Sequence, residues 1–157
     1  MTEARFVVDV HLAALARHLR LFGFDALYRN DYSDEELVRI STRETRILLT
    51  RDRDLLKRRH IAQGYLVRDK EPRKQIMEVL ERFDLAEAVR PFSRCTVCNE
   101  TLAPVEKETI EDRLPPKVRQ RNREFMMCRG CGRIYWKGTH FAHLADLVSA
   151  ILEKSSD

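Results

Sequence analysis

The stretch Ile47–Leu56, ILLTRDRDLL, decides the fold: three aliphatic residues and a threonine run straight into an alternating Arg-Asp-Arg-Asp segment. A short apolar run that stops abruptly at charge is the pattern of a strand buried on both faces. Asp52 then stands just past the strand end, and Leu55 and Leu56 return the chain to the core within a short helix expected over 54–60.

Working outward, Phe6-Val7-Val8 is a second such run, followed by Asp9 and a helical pattern that begins near His11. Leu12, Leu15, Ala16, Leu19 and Phe22 fall on one face of that helix, and Gly23 stops it. Arg17 lies opposite the apolar stripe and Arg20 at its edge, so both are expected to reach solvent or a ligand. A strand is expected around 26–29. Ser33 with Glu36 forms a capping-box signature for a helix carrying Leu37, Val38 and Ile40. Tyr65 to Val67 reads as a further strand. After Pro72 the positions Ile76, Val79, Leu80 and Phe83 mark an amphipathic helix. This β-α alternation predicts an α/β domain over 1–91, a parallel sheet with helices on both faces.

Composition changes after Pro91. Cys95-Thr-Val-Cys98 and Cys128-Arg-Gly-Cys131 are two CxxC pairs separated by 29 residues, the pattern of a closed four-cysteine zinc site. Asn99 and Gly132 each follow a second cysteine, where a metal-binding knuckle needs a left-handed backbone. Four cysteine ligands leave no open position, so the Zn2+ is expected to be structural, holding a small ribbon over 92–140. His140, beside the ribbon, is then free for another use, and Tyr135 and Trp136 either pack the ribbon or stack on bases. A final helical pattern in 141–157 is expected to pack back on these domains.

The formal charge is +4, yet residues 1–90 hold 18 Lys+Arg against 16 Asp+Glu and residues 91–157 hold 11 against 9, so neither part is a basic tail. Locally, Lys117, Arg119, Arg121, Arg123, Arg129 and Arg133 face Glu124 alone, a strip that suits either a phosphate backbone or a solvated face. No run approaches the ~20 apolar residues of a membrane span, and MTEARFVVDV lacks signal-peptide design, so a soluble cytoplasmic protein is expected.

Ligands of parallel α/β sheets gather at the carboxyl ends of the strands. Asp9 and Asp52 would both emerge there, with Asp34, Glu35 and Glu36 opening a helix nearby. Acids without a phosphate loop, a lysine nucleophile or a Cys/His pair suit Mg2+ or Mn2+ bridging phosphate oxygens. Each acid also has a plain structural use: Asp52 and Asp9 as helix caps, Asp34 and Glu35 at a helix amino terminus. Arg17 and Arg51 either pair with these acids or grip a phosphate.

With these residues placed, the chain resembles the Mut-seven carboxy-terminal ribonuclease domain family, a PIN-like nuclease domain fused to a zinc ribbon. The resemblance covers nearly the whole chain and rests on FVVDVHLAALARHLRLFGFDALY, YSDEEL, RILLTRDRDLL, RCTVCN, RLPPKV and EFMMCRGCGRIYWKGTH in that order. It implies a PIN-like fold and metal-dependent cleavage of RNA. Asp9, Asp34 and Asp52 match the family's acidic positions, Arg17 and Arg51 its neighbouring basic ones, and Asp54 matches more weakly. His18 stands where the family usually has Trp, His11-Leu12-Ala13 replaces a Met-Leu-Gly-like stretch, and Met126 replaces a Trp.

The expected function is a Mg2+- or Mn2+-dependent ribonuclease with Asp9, Asp34 and Asp52 catalytic, Arg17, Arg51 and Arg20 on the RNA, and the ribbon aiding RNA binding. The alternative is a non-catalytic zinc-ribbon RNA-binding adaptor. A toxin-like role, with an inhibitory protein partner over the acidic edge, is left open, as is the oligomeric state. A phosphoacceptor receiver is disfavoured, because the first strand supplies one carboxylate instead of an adjacent pair and no lysine closes Tyr65-Leu66-Val67-Arg68.

Overall fold

The computed structural model describes residues 4–58, 61, 63–138, 142, 143, 146, 147, 149, 150 and 153. The end of the expected 54–60 helix, His140, and part of the 141–157 segment lie outside the described residues. Along the first part of the chain run β1 (Arg5–Val8), α1 (Ala13–Leu21), β2 (Asp25–Leu27), α2 (Asp34–Arg43), β3 (Ile47–Thr50), α3 (Arg53–Leu56), β4 (Gly64–Leu66) and α4 (Pro72–Arg82). The four strands are parallel in the order β2-β1-β3-β4, with Val7 opposite Leu48 and Leu49 opposite Tyr65.

Strand periodicity divides the core. Phe6 and Val8 of β1 and Ile47 and Leu49 of β3 face α1 and α4, packing with Leu15, Leu19, Ile76 and Val79. Val7 and Leu48, one residue out of phase, pack on the opposite face with Leu37 of α2 and Leu55 of α3. Successive side chains of a strand point to opposite faces, so a run apolar at every position needs helices on both. The expected α/β class is therefore the observed one.

Local signals act as the sequence suggests. Ser33 caps α2 with both halves of the capping box, Glu36 N–H to the Ser33 hydroxyl at 3.2 Å and Ser33 N–H to Glu36 Oε2 at 3.3 Å. Helix α1 differs, starting at Ala13 rather than near His11, because the Asp9 carboxylate takes the His11 N–H at 3.2 Å and holds a turn there. Gly23 ends α1 with φ +94°, and a Cβ there would collide with the Arg90 carbonyl oxygen and stand 2.6 Å from Ser93 Oγ. Glycine is thus required twice over, by its backbone conformation and by the 90–93 segment pressed against it.

Beyond this segment come β5 (Leu102–Val105), α5 (Lys107–Ile110), α6 (Pro116–Arg121), β6 (Phe125–Cys128) and β7 (Ile134–Tyr135). The strands form an antiparallel sheet in the order β5-β6-β7. The two short helices lack the length for a periodic sequence signal. Two small clusters support this sheet, one around Cys95, Leu102 and Cys128 and another around Ile110, Leu114 and Phe125. Trp136 is half-buried and packs edge-on against Phe125, 6.3 Å between ring centroids, so one side of the ring is used in packing the ribbon. In the final segment, Leu147 is buried among the residues that α1 and α4 enclose.

Candidate active edge and cysteine centre

The end of β1 delivers Asp9, whose N–H still pairs with the Leu49 carbonyl at 3.0 Å. Asp9 is only 8% exposed, and its two carboxylate oxygens have distinct partners. Oδ2 accepts the Thr50 hydroxyl at 2.6 Å, and Oδ1 accepts the His11 N–H at 3.2 Å with His11 Nδ1 also 3.2 Å away. Thr50 ends β3 and its oxygen in turn accepts the Asp52 N–H at 3.0 Å. One fully buried hydroxyl therefore links the carboxylate after β1 to the backbone that presents the carboxylate after β3. A carboxylate offers about four acceptor sites, so these bonds orient Asp9 without using up its capacity.

Asp52 caps α3, its Oδ1 accepting the Asp54 N–H at 2.9 Å and the Leu55 N–H at 3.4 Å. Asp34 opens α2 with Oδ2 3.6 Å from Arg58 Nη2, while Arg58 Nη1 stands 3.5 Å from Glu35. Asp54 is exposed and faces Lys57. The topology thus brings Asp9, Asp34 and Asp52 to one edge of the sheet, but it does not close them around a point. Among the described residues, the four cysteines are the group of three or more ligating side chains near enough to share an ion.

The arginines divide. Arg51 donates from Nη1 to the carbonyls of Arg68 and Asp69, at 2.9 and 2.6 Å, bracing the loop that leads into α4. Arg17 is exposed on α1 beside Pro72. Arg20 departs from expectation: it is 6% exposed, and its guanidinium is spent on the carbonyls of Ala26 (2.9 Å), Thr96 (3.0 Å) and Val97 (3.1 Å). This residue at the stripe edge of α1 is shielded from solvent because the cysteine knuckle lies over it.

That knuckle is one of two matching turns. The Asn99 N–H bonds the Cys95 carbonyl at 3.0 Å and the Gly132 N–H bonds the Cys128 carbonyl at 3.1 Å. Both turn residues have left-handed backbones, φ +72° at Asn99 and +77° at Gly132. The four sulfurs lie within 4.8 Å of one another, Cys95 and Cys131 at 3.7 Å and Cys98 and Cys128 at 3.2 Å. A tetrahedral zinc with Zn–S near 2.3 Å needs sulfurs about 3.8 Å apart, so the soft, closed quartet fits Zn2+. Amide N–H groups already aim at the sulfurs, Val97 to Cys95 and Gly130 to Cys128. The Arg133 N–H, and after it the Arg133 side chain, pulls the Cys131 thiol down to about 6. The Tyr135 oxygen lies 2.9 Å from Cys95 Sγ, which places that ring within the centre's surroundings.

Asn99 does more than turn the chain. Its Oδ1 accepts the Ala26 N–H at 3.1 Å and its Nδ2 donates to Asp25 at 2.7 Å. With Arg20 on the Ala26 carbonyl, both backbone groups of this edge-strand residue are satisfied from outside the sheet. Asp25 also takes a two-pronged contact from buried Arg46, at 2.8 and 3.2 Å. Burial would raise the Asp25 carboxyl, but the hydrogen bonds from Arg46 and Asn99 outweigh it and hold the group below its ordinary value.

A family model described as Mut7-C RNAse domain matches residues 4–148. The chain belongs to that family. No curated protein and no solved structure matches it. The Mut7-C match spans both sheets, so the acidic edge and the cysteine centre fall within one family unit, and the family's description gives a ribonuclease-like function class. Sequence reading overlooked Thr50, His11 and the side chain of Asn99. A hydroxyl ending an otherwise aliphatic buried strand was the available signal for Thr50. His11 and Asn99 gave none, since their partners arise only from folding. Among the described residues, no helix is long and apolar enough to cross a membrane.

Proposed function

We propose that this Mut7-C chain is a metal-dependent ribonuclease that hydrolyses RNA phosphodiester bonds at the edge carrying Asp9, Asp34 and Asp52. The observation that carries the reading is the Asp9–Thr50–Asp52 connection, which ties two strand-end carboxylates together where α/β sheets bind ligands. The hard oxygen donors suit Mg2+ or Mn2+, with Asp9 and Asp52 as the residues that would hold the ion and Asp34 as the third carboxylate of the proposed site. Such an ion supplies charge stabilisation at the phosphodiester. Thr50 and the His11 N–H keep the Asp9 carboxylate in one orientation. We assign the phosphate contact to Arg17, an exposed cation on α1, whereas Arg51 shapes the neighbouring loop. The ribbon presents Lys117, Arg119, Arg121, Arg123, Arg129 and Arg133 on exposed positions and aids RNA binding. In this reading, 1–91 is the nuclease unit, 92–140 the ribbon, and 141–157 a helix against them.

End-labelled RNA incubated with pure protein, with and without Mn2+, tests this. Cleavage is expected only with Mn2+ and is lost in Asp9→Asn and in Asp52→Asn, each with unchanged zinc content. Undiminished cleavage by both variants overturns the assignment. A second reading, an RNA-binding adaptor without catalysis, is favoured by the helix cap on Asp52 and the Arg58 contact to Asp34. It predicts salt-sensitive binding with no cleavage under any divalent ion, and binding weakened when Arg119, Arg121 and Arg123 are neutralised.

A further inference from the structure

Each CxxC turn contributes one enclosed and one open sulfur to the cysteine quartet: Cys95 and Cys128 are buried, whereas Cys98 and Cys131 are exposed. The buried pair lies in the small cluster with Leu102, and Tyr135 of β7 packs against it. Thiolates gathered on a divalent ion keep a net negative charge, so their sulfurs need hydrogen-bond donors wherever water is excluded. At Cys128 the donors are backbone, the N–H groups of Gly130 at 3.3 Å and Cys131 at 3.4 Å. Cys95 takes one backbone N–H, from Val97 at 3.4 Å, and faces the Tyr135 oxygen at 2.9 Å.

That oxygen is oriented as well as close. It accepts the Thr96 N–H at 3.2 Å, so the phenol bridges the sulfur and the backbone of the same turn. A phenol with the ordinary pKa of about 10 keeps its proton at neutral pH, and a metal-bound cysteine has none to give. With the Thr96 N–H on the phenol oxygen, the hydroxyl proton is left for the Cys95 sulfur. The turn itself is fastened to the parallel sheet, because Arg20 donates to the carbonyls of Thr96 and Val97. On the open side, Cys131 takes the N–H and the side chain of Arg133, and that side chain stands in water that competes for it.

We propose that Tyr135 is a positioning residue of the cysteine centre: its hydroxyl locks the Cys95 thiolate, so that Cys98 and Cys131 open first when metal is exchanged while Cys95 and Cys128 stay engaged. This goes beyond the ribonuclease reading and holds whether or not the chain cleaves RNA.

The full chain loaded with Co2+ in place of zinc tests it, because the thiolate-to-cobalt charge-transfer absorption reports the state of the sulfurs. A hydrogen bond lowers the energy of a sulfur lone pair. Tyr135→Phe keeps the ring and removes the hydroxyl, so it should move that absorption to longer wavelength and speed metal transfer to a competing chelator roughly tenfold. Thr109→Ala, which removes a ribbon hydroxyl bonded to the Glu106 carbonyl, should alter neither. Brief iodoacetamide treatment of the zinc-loaded parent, mapped by mass spectrometry, should label Cys98 and Cys131 ahead of Cys95 and Cys128. That order is read on the parent chain, so it stays decisive if Tyr135→Phe fails to load metal. An unmoved absorption or an unchanged transfer rate in Tyr135→Phe, or Cys95 labelled as fast as Cys131, overturns the proposal.

Discussion

Thr50 is fully buried, donates to Asp9 and receives the Asp52 N–H, so valine at this position keeps the shape and removes both bonds. The Asp9 oxygen would then lose its closest partner inside the protein, a change that costs on the order of 1–3 kcal/mol. Thr50→Val is expected to lower the urea midpoint accordingly and to reduce cleavage far more than that loss explains, whereas Thr50→Ser recovers most of both. Equal activity in Thr50→Val and the parent would separate Thr50 from the site. Asp25 gives a second residue-level expectation. Its folded pKa lies below its unfolded value of about 3.9, so its stabilising contribution is complete above that pH and fades as pH falls through the folded value. Asp25→Asn should therefore be less stable than the parent at pH 6 by urea denaturation, and the gap should narrow as the pH is taken below about 4.

At the level of elements, β2 is the edge strand whose exposed backbone is covered by the cysteine knuckle through Asn99 and Arg20. Edge strands offer unpaired N–H and C=O groups, and proteins cover them. Asn99→Gly keeps the left-handed turn that the cysteines need but removes the amide, so zinc content should persist while hydrogen exchange at the Ala26 N–H accelerates. Removing zinc with a chelator should accelerate the same amide, and leave the central β3 amides of Leu48 and Leu49 protected. Unaltered Ala26 exchange in both experiments would show that the knuckle does not cover this edge. The elements themselves were largely readable: Ile47–Thr50 appeared as a strand because a short apolar run stops abruptly at charge, and the Ser33 capping box because its partners are three residues apart. What escaped reading was pairing over long separations. Nothing in the local pattern around Arg20 tells that its donors go to carbonyls at Thr96 and Val97, because the α1 stripe edge becomes interior only when a second sheet arrives.

For the whole molecule, the same contrast separates fold from site. The order of elements was legible because each depends on neighbours in sequence, and the four-cysteine centre because two CxxC turns announce themselves locally. The acidic edge was legible in its location, since topology alone carries Asp9, Asp34 and Asp52 to the same side. Its state was not: whether Asp52 caps α3, or Asp34 meets Arg58, depends on side-chain geometry that no spacing encodes.

The glycine at position 23 has a practical meaning for anyone dividing this chain. Because the Arg90 carbonyl presses into the space a side chain would fill, and the Arg90 N–H bonds the Phe22 carbonyl at 2.7 Å, the segment following α4 is fitted to the end of α1. A fragment stopping at residue 91 would keep this clamp yet lose Asn99, laying bare the Ala26 N–H on a strand already at the margin of its sheet. Such a fragment should self-associate through β2, which analytical ultracentrifugation would show as a mass that rises with protein concentration.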